Sequence, residues 1–260
     1  MSTAQYFDSA GISIRFTDTG EGVPVILVHG YTGSVAMWEA LIQDLSKHCR
    51  VIALDCRGHG LSGKPHDTEA YGLAMVTDVV RLMNHLNLAT AHIVGYSMGA
   101  EIALKLTTEY PDRVLSLSMG GSGWSGENDY ALYQGLSKSL GESASFGPMI
   151  RAMTPAGQSG PTDEEIAAMD TLLQGQDIAA LTAVAQAMKG IINVTQAELS
   201  TVQVPVLGVA GEHDPERGNL EKMIGVAPKF SMNVLAGKDH MSAMTDPQHN
   251  QLIVDFITCQ

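Results

Sequence analysis

The feature that most constrains the fold is a series of short apolar runs separated by longer amphipathic stretches. The runs cover residues 25–28, 51–54, 93–94, 114–119, 206–210 and 232–235. Short, mainly apolar runs of this length are typical of strands buried on both faces, as in parallel sheets. Between them, apolar residues recur at helical spacing, as at Val76, Val79, Val80, Met83 and Leu86. The alternation predicts a doubly wound α/β domain with helices on both faces of the sheet.

The pattern changes at two places along the chain. Near the N-terminus, alternating segments at 5–8 and 12–18, joined at Gly11, predict an antiparallel hairpin. Between 122 and 199 the strand signal disappears, and helical segments are separated by glycine and proline. Thr162 and Glu165 form a potential capping box there, and an alanine-rich helix is expected over 178–189. We interpret 122–199 as a helical lid inserted into a core domain of residues 1–121 and 200–260.

Composition excludes several function classes. The 260 residues are 45% hydrophobic and 17% charged, which suits one large buried core. The net charge of −13 disfavours nucleic acid as a partner, because phosphates would be repelled. No apolar run is long enough for a membrane span, and the first residues lack a signal-peptide pattern. Cys49, Cys56 and Cys259 fit no metal or disulfide spacing, so we expect reduced thiols and a cytoplasmic location.

The pentapeptide Gly95-Tyr96-Ser97-Met98-Gly99 is the strongest chemical signal in the chain. The pattern G-x-S-x-G alone is weak evidence in a glycine-rich sequence. Here it follows an apolar run and precedes a helical pattern, which is the strand–turn–helix context of a nucleophile elbow. The sequence therefore predicts Ser97 as a catalytic nucleophile.

A serine nucleophile needs a base and an acid that orients the base. In folds with this elbow, the chain order is serine, acid, histidine. Asp214 comes shortly after the apolar run 206–210, and His240 comes shortly after the run 232–235. These two residues are the predicted acid and base. We expect His213 to point elsewhere and His249 to be a solvated helix residue.

Two glycine-rich loops follow other predicted strands. The loop 29–33 would supply the backbone amide of Tyr31, which together with that of Met98 would bind a negatively charged oxygen. His29 is expected to hold this loop. The turn 55–62 lacks the Lys-Ser/Thr pair of a phosphate-binding loop, and His59 has no partner at metal-ligand spacing. We expect Arg57 and His59 to serve as scaffold.

Six segments in chain order resemble the landmarks of the α/β-hydrolase superfamily: HGYTGS, DCRGHGLS, GYSMG, YPDRV, GEHD and GKDH. The resemblance covers the chain outside the lid and is greatest to small carboxylesterases, lactonases and cofactor-free perhydrolases. It implies a mostly parallel eight-stranded twisted sheet, the triad Ser97, Asp214 and His240, and no cofactor or metal. Epoxide hydrolases and haloalkane dehalogenases are disfavoured, because they carry aspartate at the position of Ser97. One departure is Thr32, where many relatives have proline.

The lid is expected to set substrate specificity. It contains nine acidic residues: Glu127, Asp129, Glu142, Asp163, Glu164, Glu165, Asp170, Asp177 and Glu198. Its basic residues are Lys138, Arg151 and Lys189. So acidic a lid is a poor receptor for dicarboxylates or phosphates, which predicts small, neutral, largely apolar ester substrates and water as the reactants. The candidate pocket residues are Trp38, Trp124, Met149, Met153, Met188 and Met241.

The sequence leaves other activities open. A lactonase, a thioesterase and a carbon–carbon bond hydrolase would all use the same triad. A slow-turnover ligand receptor on the same fold is a further alternative from a different class. The oligomeric state is not specified by any of these patterns.

Overall fold

The described residues of the computed structural model, 4–125, 130–153 and 160–259, form one eight-stranded mixed sheet. The strands are β1 (Gln5–Ser9), β2 (Ile12–Thr19), β3 (Pro24–Val28), β4 (Arg50–Leu54), β5 (Ala91–Tyr96), β6 (Val114–Gly120), β7 (Val206–Gly211) and β8 (Phe230–Leu235). Their order across the sheet is β1-β2-β4-β3-β5-β6-β7-β8. The predicted hairpin is confirmed, since β1 pairs antiparallel with β2, with Ser9 opposite Ile12.

Strands β3 to β8 are parallel to one another, as the short apolar runs predicted. The chain passes from β3 outward to β4 and then returns to place β5 on the other side of β3. The strand order therefore reverses beside β3 and β5. In open α/β sheets, the loops that follow the strands at such a reversal form the usual ligand site.

Helices cover both faces of the sheet. Those outside residues 122–199 are α1 (Glu39–Leu45), α2 (Leu73–His85), α3 (Met98–Glu109), α10 (Arg217–Glu221), α11 (His240–Met244) and α12 (Pro247–Thr258). One apolar core lies between the sheet and helices α2 and α3. A second core, on the opposite face, contains side chains of α1 and α12. The α/β class with two covered faces is as the sequence predicts.

Between β6 and β7, the described chain is helical and has no strand. We call residues 122–199 the helical segment. Its helices are α4 (Ala131–Ser143), α5 (Gly147–Met153), α6 (Asp163–Asp170), α7 (Ile178–Ala187) and α8 (Lys189–Ile192), and α9 (Gln196–Ser200) begins within it. The predicted capping box is present: Glu165 N–H donates to Thr162 Oγ1, and Thr162 N–H donates to Glu165 Oε2. The helix predicted over 178–189 is instead two helices, because the backbone tightens at Met188, whose N–H bonds to Ala185 O.

The turn 55–62 is held by buried charges. Asp55 accepts hydrogen bonds from the backbone N–H groups of Val35 (2.7 Å) and Leu61 (2.8 Å). The Arg57 Nε donates to Asp78 Oδ2 at 2.6 Å, and both side chains are buried. Removing one member of such a buried pair typically costs ~3–5 kcal/mol, because the other charge is left unpaired. The turn thus forms part of the scaffold beside β3 and β4.

No described helix has the length and hydropathy that a membrane span requires.

The glycine at position 60 should be essential for this turn. Gly60 has φ +50°, and a Cβ there would overlap the Asp55 carboxylate. Gly225 also has a positive φ (+78°), but a Cβ there meets no atom within 4 Å. We expect Gly225→Ala to lower the free energy of unfolding by ~1 kcal/mol, from backbone strain alone. Gly60→Ala should cost ~1–3 kcal/mol more. Urea denaturation of both variants measures the difference, and equal losses would contradict this role of Gly60.

Candidate active site

Ser97 lies at the sharp turn between β5 and α3. Its φ of +53° is strained for a residue with a side chain, a conformation that costs ~1–3 kcal/mol and clusters at functional sites. A Cβ on Gly95 would overlap the backbone of Gly99, and a Cβ on Gly99 would overlap the backbone of Val28. The glycines of the pentapeptide are therefore required by close backbone packing. The Ser97 side chain remains partly exposed above the end of the sheet.

The loop after β3 packs against this turn. A Cβ on Gly30 would lie 3.2 Å from the Cβ of Ser97. His29 fixes the loop, because its Nε2 accepts from Cys56 N–H (2.9 Å) and its Nδ1 bonds to Gly30 O (2.7 Å). Since Nε2 accepts, the ring proton lies on Nδ1. Burial lowers the pKa of His29, which keeps the imidazole neutral in this role.

The conformation of this loop explains why position 32 is threonine and not the proline of many relatives. Thr32 has φ +61°, whereas the proline ring holds φ near −65°. A proline cannot adopt this conformation, so the loop path differs from one that carries proline. The loop is also bonded to α7 and the residues before it: Tyr31 OH donates to Leu181 O (2.6 Å), and Gln176 Nε2 donates to Thr32 O (2.9 Å).

The amides of Tyr31 and Met98 are the predicted oxyanion donors. Met98 is the first residue of α3, and the first N–H groups of a helix have no partner inside the helix. Tyr31 lies shortly after the end of β3, in the loop that packs on Ser97. The structure therefore places both residues beside Ser97, where β3 and β5 end.

Asp214 and His240 are in contact, although 26 positions separate them. His240 Nδ1 lies 3.0 Å from both carboxylate oxygens of Asp214. Asp239 caps α11 by accepting from Met241 N–H and Ser242 N–H, so His240 begins this helix in a fixed orientation. Burial alone would lower the pKa of His240, but the hydrogen bond and negative charge of Asp214 outweigh burial and raise it.

Tyr96 connects the imidazole to the serine turn. Its OH donates to the backbone oxygen of His240 (2.5 Å), and its ring lies 5.4 Å from the His240 ring. A Cβ on Gly121 would come within 3.0 Å of His240 Cε1, while Gly120 O accepts from Ser97 N–H at 2.7 Å. Ser97 and His240 thus adjoin the same pair of glycines. Within the described residues, no hydrogen bond joins Ser97 Oγ to His240.

Comparisons with known proteins agree with this fold. A family model described as alpha/beta hydrolase fold matches residues 23–142. A thermophilic esterase from Thermogutta terrifontis is similar in structure over 99% of both chains, with a TM-score of 0.78 and 23% identity. Est816, described as an N-acyl homoserine lactone degrading enzyme, is 25% identical, with a TM-score of 0.78 over 97% of this chain and 100% of its own. The chain has the α/β-hydrolase fold.

Among curated relatives, a 2-hydroxymuconate semialdehyde hydrolase from Pseudomonas sp. (strain CF600) is 34% identical over 149 residues. The match covers 56% of this chain and 51% of that protein. The chain therefore spans about half the length of this relative. The matching proteins share the hydrolase fold, while their named substrates differ.

Glu101 is a buried residue beside this site that the sequence patterns did not single out. It lies on α3, one turn after Ser97, and is only 4% exposed. Its carboxylate accepts from Ser122 Oγ (3.2 Å), from Ser125 Oγ (3.1 Å) and from Tyr133 OH. Burial raises the pKa of Glu101 to about 7. An acidic residue inside an otherwise apolar helix pattern was the available signal, but such residues are usually exposed.

The predicted pocket residues lie in different environments. Trp38 and Met188 are fully buried in the two cores. The prediction that Trp38 lines the substrate pocket needs correction. This side chain packs in the core that contains α1 and α12, on the face opposite α2 and α3. Trp124 is half-buried, and its Nε1 donates to Val194 O at 2.6 Å. Met149 is half-buried near Gly135. Met241 is 57% exposed, and the Met153 side chain lies outside the described residues.

The prediction that His249 is a solvated helix residue was wrong. This residue is 1% exposed, because the first turn of α12 faces the end of β6, and its ring lies 5.5 Å from that of Tyr96. Burial lowers the pKa of His249. His213 is exposed and is not among the residues that contact His240 through a hydrogen bond. Within the described residues, no group of three His, Cys, Asp or Glu side chains is arranged to hold a metal ion.

The charge of Asp214 should control the ionisation of His240. In Asp214→Asn, burial remains while the charge is removed, so we expect the pKa of His240 to fall from above its ordinary value of 6.5 to below it. An NMR pH titration of the His240 Cε1 proton measures this shift. His92 lies at the other end of β5 and serves as the control, because its pKa, lowered by burial, should not change. A His240 pKa that is unaffected by Asp214→Asn would show that the pair is not coupled.

Proposed function

We propose that this chain is a serine hydrolase that cleaves carboxylic esters of small, neutral, largely apolar acyl groups through an acyl-enzyme intermediate. The observation that supports this most is the strained Ser97 turn beside a histidine that a buried aspartate orients. Ser97 and His240 adjoin the same glycine pair, although no hydrogen bond joins them within the described residues. Such contacts are often long in unliganded enzymes and shorten when substrate binds.

In the proposed reaction, His240 acts through Nε2, because Nδ1 is engaged by Asp214. The imidazole takes the Ser97 proton while the hydroxyl oxygen attacks the ester carbonyl carbon. The tetrahedral oxygen is bound by the amides of Tyr31 and Met98. His240 then gives its proton to the leaving alcohol, and the acyl group stays on Ser97. Asp214 stabilises the charged imidazolium in both transfers.

The second half of the reaction repeats these roles with water as the nucleophile. His240 removes a proton from water, the hydroxide attacks the acyl carbon, and the carboxylic acid leaves as Ser97 recovers its proton. The tight loop that His29 holds suits this scheme, since removing a single oxyanion donor typically costs a factor of ~10²–10³ in kcat. No cofactor takes part in the proposed steps.

We further propose that the helical segment is a lid over this site, on a core of residues 1–121 and 200–260. Two hydrogen bonds support this, because they attach the segment to the proposed oxyanion loop. Tyr31 OH donates to Leu181 O, and Gln176 Nε2 donates to Thr32 O. The acidic balance of the segment disfavours anionic substrates. Its Arg151 is paired with Asp163, and a buried carboxylate, Glu101, lies one helical turn from Ser97.

A second candidate is hydrolysis of a carbon–carbon bond. The relative from Pseudomonas sp. (strain CF600) is named a 2-hydroxymuconate semialdehyde hydrolase. The same serine, histidine and aspartate would serve that reaction. A substrate panel that includes a dienoate and a lactone separates these activities from ester hydrolysis. A ligand receptor would form the acyl-enzyme once and stall, whereas an esterase would release product repeatedly.

The decisive experiment is hydrolysis of p-nitrophenyl esters from acetate to octanoate by wild type and Ser97→Ala. We expect the alanine variant to lose at least about a thousandfold in kcat/KM, because the nucleophile is gone. Ser118→Ala is the matched control. Ser118 is a buried serine of β6 whose hydroxyl has no hydrogen-bond partner among the described residues, so its loss should leave the rate within about twofold.

Full activity in Ser97→Ala would exclude the proposed mechanism. Activity on charged dienoates that greatly exceeds activity on short neutral esters would keep the mechanism but overturn the substrate class.

A further inference from the structure

Tyr96, the residue before the proposed nucleophile, lies on the face of the sheet that packs against α12. Side chains alternate between the two faces of a strand, and Val94 and Tyr96 of β5 both belong to the core that contains α1 and α12. Tyr96 is the last residue of β5 and is buried, whereas the Ser97 side chain is partly exposed. The tyrosine ring is therefore part of the core directly behind the serine turn.

Two glycines at the end of β6 leave the space that this ring occupies. A Cβ on Gly120 would lie 2.5 Å from Cδ2 of Tyr96, and a Cβ on Gly121 would lie 2.7 Å from its Cε1. Carbon atoms pack at ~3.5–4.0 Å, so neither position can carry a side chain while the ring is in place. The ring thus lies directly against the main chain of residues 120 and 121.

His249, in the first turn of α12, lies on another side of the same ring. The two rings are 5.5 Å apart with an interplanar angle of 72°, which is the edge-to-face arrangement that aromatic rings favour. A Cβ on Gly120 would also lie 2.8 Å from the His249 Nε2, so the imidazole closes the space beside this glycine. The Tyr96 ring is therefore confined between the end of β6 and α12.

The hydroxyl group of Tyr96 is directed to the proposed catalytic base. Among the described residues, its one hydrogen bond is to the backbone oxygen of His240, at 2.5 Å. A phenylalanine would fill the same space without a buried hydroxyl that needs a partner. Burial raises the pKa of Tyr96, and the charges of Asp214 and Asp239 raise it further, so the phenol stays protonated and remains a donor. Packing explains the ring, and the contact with His240 explains the hydroxyl.

The backbone of His240 needs such a restraint. His240 begins α11, which has only five residues, and so short a helix is not stable by itself. Asp214 holds the imidazole at Nδ1, while Tyr96 holds the backbone oxygen and places its ring 5.4 Å from the imidazole. Because Tyr96 is joined to Ser97 by a peptide bond, the same residue links the base to the main chain of the nucleophile.

We propose that Tyr96 is a positioning residue for the general base: its ring, confined by Gly120 and His249, and its hydrogen bond to His240 hold the imidazole in register with the Ser97 turn. This inference rests on the proposed serine hydrolase function. Tyr96 transfers no proton and acts through His240.

The test is Tyr96→Phe, which removes the hydrogen bond and keeps the ring. Acylation and deacylation both use His240, and a displacement of about 1 Å can cost a hundredfold in rate. We expect kcat and kcat/KM for p-nitrophenyl acetate each to fall by about tenfold, with KM within about twofold, since the base does not bind the substrate. Rates are compared at a temperature where circular dichroism shows every variant to be folded.

Tyr71→Phe is the matched control. Tyr71 is 4% exposed and Tyr96 is 3% exposed, and the Tyr71 OH also donates to a backbone oxygen at 2.5 Å, that of Pro65. Pro65 lies outside the loops that carry Ser97 and His240. The control therefore loses a comparable buried bond, and we expect its kcat to stay within about twofold of wild type.

A second readout does not depend on activity. Burial lowers the pKa of His240, and the contact with Asp214 outweighs burial and raises it. An imidazole that moves away from Asp214 should therefore lose protons at lower pH. We expect the His240 pKa, followed by NMR at the Cε1 proton, to be lower in Tyr96→Phe than in wild type and unchanged in Tyr71→Phe. A residue that only stabilises the fold would not move this pKa.

His249→Ala tests the confinement of the ring. The truncation leaves space beside Tyr96, so the ring should shift and weaken the same hydrogen bond. Since both substitutions act through one contact, the double variant with Tyr96→Phe should lose no more than about twofold beyond Tyr96→Phe alone. If His249→Ala does not fold, Tyr96→Phe and its control carry the test.

If wild type shows no Ser97-dependent turnover, the proposed function fails, and the titration still tests the link between Tyr96 and His240. Unchanged kcat in Tyr96→Phe would overturn the proposal, as would a fall in kcat without a change in the His240 pKa. Equal losses of kcat in Tyr96→Phe and Tyr71→Phe, or fully additive losses from Tyr96→Phe and His249→Ala, would also contradict it.

Discussion

The close approach of three backbone segments at the end of β5 is the constraint on which the rest of the site depends. Val28 at the end of β3, Gly95 in β5 and Gly99 in α3 pack so tightly that a methyl group on either glycine would overlap a neighbouring main chain. This packing forces Ser97 into its left-handed conformation. The continuous burial of α3 from 98 to 107 offsets the strain. The positions of the serine and of both proposed oxyanion donors are therefore set by the main chain, and side chains only maintain them.

The loops that hold these positions contain buried backbone amides. Each such amide needs a hydrogen-bond acceptor, since an unpaired buried amide is costly in free energy. Asp55 performs this role for Val35 and Leu61, and His29 performs it for Cys56. Both side chains occupy the loops that follow β3 and β4, beside the proposed oxyanion loop. The Asp55 carboxylate accepts from two amides, whereas the His29 imidazole accepts from one. His29 has a lowered pKa because of its burial, so it bonds without introducing a charge near the nucleophile.

Much of the fold could be predicted from the sequence, because parallel strands carry apolar runs and the proposed catalytic residues follow such runs directly. The contact of His240 with Asp214 follows from the parallel pairing of β7 with β8. Burial of individual side chains was less predictable. Trp38 packs in the core that contains α1 and α12, and His249 lies behind Tyr96; neither position can be read from helical spacing alone. The contact of Glu101 with Tyr133 joins residues 32 positions apart, and the sequence pattern does not specify how the segment that contains Tyr133 is placed.

The helical segment is joined to the core partly through hydrogen bonds that reach the proposed chemistry. Tyr31 carries a proposed oxyanion amide and bonds through its side chain to Leu181 of α7. Displacement of α7 would therefore break this hydrogen bond or move the Tyr31 loop, which carries the proposed oxyanion amide. Because an oxyanion donor acts only when it is held at the position where charge develops, substrate fit in the helical segment and stabilisation of the transition state cannot vary independently. Under the proposed lid function, a substrate that displaced α7 would weaken catalysis as well as binding, so acyl selectivity would appear in kcat as well as in KM.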